Sequence, residues 1–412
     1  MTNTAFYSIV DYKFFSFIKL HYLITLYFLI CSSSIAVSQI ILFICGIFWV
    51  IGILFYKNIF KFRRSSIDLW LISYIIISLI AIIFSFNFKI SLSHLKQLSL
   101  FLIFFFGIQV LTDIKKVRFY INIFILGGIV NCFYALFRYI YFSEGGLEKR
   151  LHGFINSWMT FSGFMMIILL LLIAKLIWQR NLKYRGLYML LVVIFFATIL
   201  LTLTRSSWIG LFCGIIVLTY FHSRKLLISV IILAIISGII AYPFLPKALS
   251  NRFRSIFDLN DTTNKERIYM MRIAINIIKK HPLLGLGPGM LQQELPEYVS
   301  EGIDKNWNIP HLHNNILQNA VDKGLVGLFA WLSMYIKWLF DSFAGFYRKE
   351  YKDIELAAGS IAAIIAFLVA GLFEYNFGDS EILMIILFIM AIPYTTKINH
   401  SPNLVEATND IK

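Results

Sequence analysis

About eleven or twelve apolar stretches follow one another along the 412-residue chain, and a single long polar segment, 245–324, interrupts them. Most run about 17–22 residues, close to the ~20 that cross a hydrocarbon core as helix. Helix is the expected spanning form because backbone groups in lipid must be paired internally. The alternation of an outer-membrane barrel strand is missing. The pattern predicts an all-α, polytopic membrane protein with spans near 21–37, 39–56, 67–86, 98–112, 119–141, 158–178, 187–203, 206–221, 226–244, 325–345, 355–373 and 380–395. The chain then divides into membrane helices over 1–244, an external loop over 245–324, and membrane helices with a tail over 325–412.

Composition agrees: 59% of residues are hydrophobic and 14% charged, whereas soluble domains carry about 45–50% and 25%. The net charge of +15 raises a nucleic-acid reading, which the placement of the basic residues removes. They sit in clusters between apolar runs: Lys57, Lys61, Arg63 and Arg64; Lys115, Lys116 and Arg118; Arg180, Lys183 and Arg185; Arg224 and Lys225; Arg348, Lys349 and Lys352. Every second loop is basic, as the positive-inside rule expects of cytoplasmic loops. Both termini are then cytoplasmic. The loops over 87–97, 143–157 and 374–380, and the long segment with its Lys305, face outward, which in a bacterium is the periplasm or exterior. About ten Lys/Arg in the long segment do not count against this, since long loops escape the charge rule. Cys31, Cys45, Cys132 and Cys213 all lie inside apolar runs without metal-type spacing and read as packed thiols. The first apolar run has no small-residue cleavage signal and reads as a retained span, and the last dozen residues read as a frayed tail.

Within the polar segment, Thr263-Asn-Lys-Glu266 fits a capping box opening a helix that ends near Lys280, before Pro282. Ile268, Met271, Ile275 and Ile278 form its expected apolar stripe, and Arg267 falls in its first turn, where cations are disfavoured. Pro310 suggests a second helix over 311–323, closed by Gly324 in a left-handed cap, with His313, Leu317 and Ala320 on one face.

Arg205, in Leu201-Thr-Leu-Thr-Arg-Ser-Ser-Trp208, has almost no loop to carry it. An arginine at the bilayer edge either snorkels to headgroups or binds an anion in a cavity. His311 and His313 would diverge by about 200° on a helix, and no third ligand follows at metal spacing, so a metal pair is not expected. One histidine as general base, oriented by Asn314, suits the residues better. The run His281-Pro-Leu-Leu-Gly-Leu-Gly-Pro-Gly289 lacks the Lys-Ser/Thr of a phosphate loop and reads as a turn that brings backbone close to something. Gly287, Gly289 and Arg150 join His311 and Asn314 as candidate substrate-binding residues.

The ordered set Leu-Thr-Arg205-Ser-Ser, Glu266-Arg267-Ile-Tyr, the glycine run above, His311-Leu-His-Asn-Asn-Ile-Leu-Gln318 and Gly324-Leu-Val-Gly-Leu resembles the O-antigen ligase and polymerase superfamily. Gly371-Leu-Phe-Glu-Tyr-Asn-Phe-Gly-Asp-Ser-Glu381 resembles a segment of its ligase-like members. The resemblance implies glycosyl transfer in the bacterial inner membrane, from an undecaprenyl-diphosphate-linked glycan. Arg205 and Arg267 would hold the diphosphate, and His313 would activate the acceptor hydroxyl, with no cofactor and no divalent metal. A ligase would use a sugar of the lipid A-core as acceptor; a polymerase would use a second lipid-linked glycan. Polymerases commonly have two substantial external loops, and the short 143–157 loop favours the ligase. A lipid-linked sugar transporter would want paired or inverted repeats, which the chain lacks.

Overall fold

A computed structural model describes residues 18–55, 63–111, 113–142, 150–155, 157–298 and 309–397. Lys57, Lys61, Lys305, most of the 143–157 loop and the tail beyond 397 lie outside the described residues. The first half comprises α1 (Ile18–Ile30), α2 (Ile35–Phe55), α3 (Asp68–Ile83), α4 (Phe88–Leu92), α5 (Leu95–Ser99), α6 (Leu102–Val110), α7 (Ile114–Phe142), α8 (Trp158–Trp178) and α9 (Arg185–Leu201). Then come α10 (Arg205–His222), α11 (Arg224–Ala241), α12 (Lys247–Arg254), α13 (Thr262–Lys280), α14 (Leu291–Glu294), α15 (Asn315–Tyr347), α16 (Ile354–Ala370) and α17 (Ser380–Thr396). No strand is present among the described residues, only an isolated bridge between Tyr351 and Lys397. The fold is that of a helical membrane protein.

Four stretches combine the length and apolarity needed to cross a bilayer: Phe88–Val110, Ile114–Tyr141, Trp158–Trp178 and Arg224–Phe244. Six further apolar helices are shorter. The expected spans correspond to helices in order, with two internal differences. The break between the first two falls at Cys31–Ser34, not near residue 38, because Ser34 Oγ accepts from the Val37 N–H and starts α2 there. The stretch expected as one span over 98–112 begins earlier and is jointed, as α4, α5 and α6, with Asn87 capping α4 through its side chain.

The centre of the bundle is α8, α16 and α17, which are buried along almost their whole length. α10 lies against both α16 and α8. Its glycines permit the approach: a Cβ on Gly210 would sit 2.6 Å from the Ala366 carbonyl oxygen, and one on Gly214 2.6 Å from Leu170 Cδ1. α15 packs along α3, where the Tyr74 hydroxyl donates to Asn319 Oδ1 at 2.8 Å, and Trp338 Nε1 ties it to the Met390 carbonyl of α17. α11 touches mainly α10, and none of its residues is buried, as suits a lipid-facing span. Cys31, Cys45 and Cys132 are buried and Cys213 half-buried, all as free thiols.

Outside the bundle, α13 and the 281–298 segment enclose a second small core of Met270, Ile273, Ala274, Ile277, Leu286, Leu295 and others. Two expectations change here. α13 starts at Thr262 with Asp261 at the N-cap position, so no capping box forms. Its buried stripe is Met270, Ile273, Ala274 and Ile277, which leaves Met271 and Ile275 exposed. Gly324 does interrupt the helix (φ 67°, ψ −175°), as its left-handed placement anticipated, because its Cα lies against the Leu283 carbonyl where no side chain fits.

Candidate active site

α9 ends at Leu201, where the Thr202 hydroxyl folds back onto the Ile199 carbonyl, and Leu203 takes a left-handed conformation (φ 54°) before α10 begins at Arg205. This turn buries Arg205 to 4% exposure at the start of a helix, where unpaired N–H groups attract anions and repel cations. Arg205 Nη1 donates to the Ser255 carbonyl at 2.5 Å and to Ser255 Oγ at 3.0 Å, and lies 3.6 Å from Asp261 Oδ1. Its Nε and Nη2 are buried with no hydrogen-bond partner among the described residues. A buried unpaired donor costs about 1–3 kcal/mol, and more when charged. A second guanidinium arrives from α12: Arg252 Nε donates to the Leu203 carbonyl at 3.0 Å, while Phe253 stacks on Trp208.

Arg267, on α13, and Arg150, 5.0 Å from the centre of the Trp158 ring, complete an arginine group. Arg252 is pushed down to about 10, first by burial and then by the charges of Arg150, Arg205 and Arg267, with Asp261 opposing. Arg267 is lowered by burial and by Arg205, and Arg150 by burial and by Arg205. Guanidiniums gathered so that Arg205 raises the cost of charging Arg150, Arg252 and Arg267 favour an anion among them.

The histidines do not lie on a helix. Asn314 is the N-cap of α15, accepting from the Leu317 N–H at 3.0 Å, so His311 and His313 belong to the preceding turn and His313 is left-handed (φ 47°). Pro310 had suggested an earlier start, but an asparagine side chain that can reach N3 defines the cap better. Leu312 anchors the turn in the small core, and its N–H donates to Gln318 Oε1. The 371–377 loop is fastened to this turn. The Asn315 N–H donates to the Gly371 carbonyl at 2.7 Å, Asn315 Nδ2 to Asn376 Oδ1 at 2.7 Å, and the Phe377 N–H to Asn315 Oδ1 at 3.1 Å.

This fastening delivers Glu374, with Oε1 2.9 Å from His313 Nδ1. Asn314, expected to orient His313, instead donates to the Leu372 carbonyl. Glu374 is buried, which pushes its carboxyl up, but the His313 hydrogen bond and the charges of both histidines outweigh that and hold it below the usual range. His311 is lowered by burial and by His313, its ring centre is 4.3 Å from that of His313, and its Nδ1 is buried without a hydrogen bond among the described residues. The Glu374 charge is also felt at Arg150 and Arg267, which ties the two halves of the site together. With Nδ1 held by Glu374, the lone pair of His313 belongs on Nε2, a tautomer assigned from its partner.

The ligand atoms of His311, His313 and Glu374 lie within 4.8 Å of one another. The grouping that the helical reading of the two histidines had set aside therefore exists in space. The donor types suit zinc, but a dication there would stand in the field of the arginines, and the surroundings favour an anion.

The structure brings Arg150, Arg205, Arg267, His311 and His313 into one electrostatic group. Gly287 and Gly289 are elsewhere. Their open faces meet Ser85 and His94, the Ser91 hydroxyl donates to the Pro288 carbonyl, and the Leu286 and Gly287 N–H groups bond the Val321 and Asp322 carbonyls of α15. What this backbone approaches is the chain itself. Sequence reasoning missed the roles of Glu374, Arg252, Ser255 and Asp261. Glu374 stood inside a noticed motif; the others had no local signal.

Residues 190–332 match a family model described as O-antigen ligase. Over this segment the chain is similar to the O-antigen ligase family. Arg205, Arg252, Arg267, His311 and His313 fall inside the matched segment, and Arg150 and Glu374 outside it. The chain is similar to proteins provisionally named polysaccharide ligases from Rickettsia conorii (27% identical; 58% of each chain), Rickettsia bellii (27%; 58% of this chain and 59% of the other) and Rickettsia typhi (24%; 60% and 61%). The similarity thus spans about three-fifths of the length of these relatives.

Proposed function

We propose that the chain is an O-antigen ligase of the bacterial inner membrane. It moves a glycan from an undecaprenyl-diphosphate carrier to a sugar hydroxyl of the lipid A-core, at a site facing the periplasm and built on the 245–324 loop. The observation that carries the reading is the buried Arg205 fork, with two unpaired donors beside three further arginines and across from the His313–Glu374 pair.

His313 Nε2 removes the proton of the acceptor hydroxyl as that oxygen bonds the anomeric carbon of the donor glycan. The bond from that carbon to the diphosphate oxygen breaks with its electron pair. Arg205, Arg267, Arg252 and Arg150 take up the charge that grows on the leaving diphosphate, the part a metal plays elsewhere. Glu374 holds the imidazole in the required tautomer and stabilises the imidazolium. His311, kept neutral by burial, lines the acceptor side. The polyprenyl tail stays in lipid beside α10 and α11.

Deleting the gene and separating the cell's lipopolysaccharide on a gel tests this. A ligase leaves bare core while polymer accumulates on the lipid carrier. Core bearing one repeat unit would make the chain a polymerase instead. In vitro, transfer should persist in chelator; its loss, restored by magnesium or zinc, would reject the arginine-only account.

A further inference from the structure

Asp261 occupies the N-cap position of α13, where an aspartate side chain ordinarily bonds a free N–H of the first turn and contributes about 1 kcal/mol. It makes no such bond. Its carboxylate turns toward Arg205 at 3.6 Å, and Oδ1 is buried without a hydrogen bond among the described residues. Arg205, Arg252 and Arg267 all feel its charge. A carboxylate kept for structure would cap its helix or form a short bidentate pair; this one does neither. Meanwhile Arg205 is held by a neutral group, because the Ser255 carbonyl accepts from both Arg205 Nη1 and Asn264 Nδ2. The guanidinium therefore keeps its place without the aspartate.

We propose that Asp261 is an internal stand-in for the diphosphate: it balances the arginines between turnovers and yields when the lipid-linked diphosphate arrives. The inference rests on reading those arginines as diphosphate ligands. The incoming phosphates take the Arg205 fork and repel the carboxylate, which has the unused N-cap bond of α13 to turn to. On release of the polyprenyl diphosphate product it returns, so it weakens product retention as well as donor binding. Asp261 is then an affinity-setting residue whose removal acts with the opposite sign to removal of any arginine.

The test measures binding of farnesyl diphosphate to the full chain in nanodiscs by calorimetry. Asp261→Asn and Asp261→Ser each remove the charge while keeping a capping oxygen, so either can serve if the other fails to fold. Both should bind the probe roughly 3- to 30-fold tighter than the native protein, and the gain should shrink as salt is raised. Arg205→Ala should weaken the same binding at least about tenfold. Equal or weaker binding by the Asp261 variants, with Arg205→Ala weakened as expected, overturns the stand-in role alone. Unchanged binding in Arg205→Ala overturns the diphosphate reading, and the inference with it.

Discussion

The two ends of α16 hold arginines in opposite states. Near its start, Arg118 Nε lies 2.6 Å from Asp353 Oδ2 and Nη1 lies 3.0 Å from Glu355 Oε2. Asp353 also caps α16, Glu355 also accepts from Gln179 Nε2, and nearby Lys175 donates to Asn122 and Tyr188 around a polar cavity of about 160 Å³. Beyond the other end, about 25 Å away along 17 residues, Arg205 has one carboxylate at 3.6 Å and, among the described residues, two nitrogens without a hydrogen-bond partner. Both arginines tie helices together, but Arg118 has two short carboxylate contacts and Arg205 a single longer one. Pairing marks a clasp. On the function proposed above, the free donors of Arg205 are where an anion binds.

Identical substitutions sharpen that contrast. Arg205→Lys should lower glycan transfer by about 10²- to 10³-fold, because a point charge cannot reproduce the fork, with little change in thermal unfolding. Arg118→Lys should do the reverse: near-native transfer and a loss of about 1–2 kcal/mol, limited because Arg118 is 36% exposed. Comparable activity losses in the two would erase the distinction. Arg252→Gln should cost less, about tenfold in transfer, since its Nε partly serves the Leu203 turn.

The helical membrane architecture was legible because long apolar runs report burial in lipid, and Arg205 drew notice because almost no loop carries it, which the structure shows as a buried helix start. The histidine turn was misplaced because Pro310 and Asn314 are both good helix openers, and the Asn314 cap on the Leu317 N–H, with Leu312 packed in the small core, starts the helix later. Glu374 stood in a noticed motif, but its partner could not be read. It meets His313 across 61 residues, through Asn315 bonds to Gly371 and Phe377 that have no local pattern. Arg252 likewise looked like any of the basic residues in a long loop, until α12 docked on the Leu203 turn.

Glu374→Gln tests the fastening. It should reduce transfer about 10-fold, by lowering kcat more than by raising the donor KM, since the arginines are untouched. The folded carboxyl lies below its ordinary range, so its charge stabilises the fold fully above the ordinary carboxylate value and fades as pH falls through the lowered one. Glu374→Gln should therefore be less stable than the native chain near neutral pH and converge with it in acid; a constant gap would mean the charge is not what matters.

The smallest effect concerns His311, lowered from 6.5 chiefly by burial. Folding favours its neutral form, so its contribution is intact above 6.5 and is lost as pH falls from there through the lowered value. His311→Asn should resist mild acid slightly better than the native protein, by under about 1 kcal/mol. Equal acid sensitivity would show that the ring is not kept neutral.

The central claim is a division of labour: arginines hold the donor, and the His313–Glu374 pair moves the proton. Single-turnover transfer, with donor binding measured separately on the same preparations, tests it most directly. His313→Ala should bind the lipid-linked donor normally and transfer about 10²- to 10⁴-fold more slowly, while Arg205→Ala should bind it at least about tenfold more weakly. Near-native transfer by His313→Ala, or full donor binding by Arg205→Ala, would contradict the account.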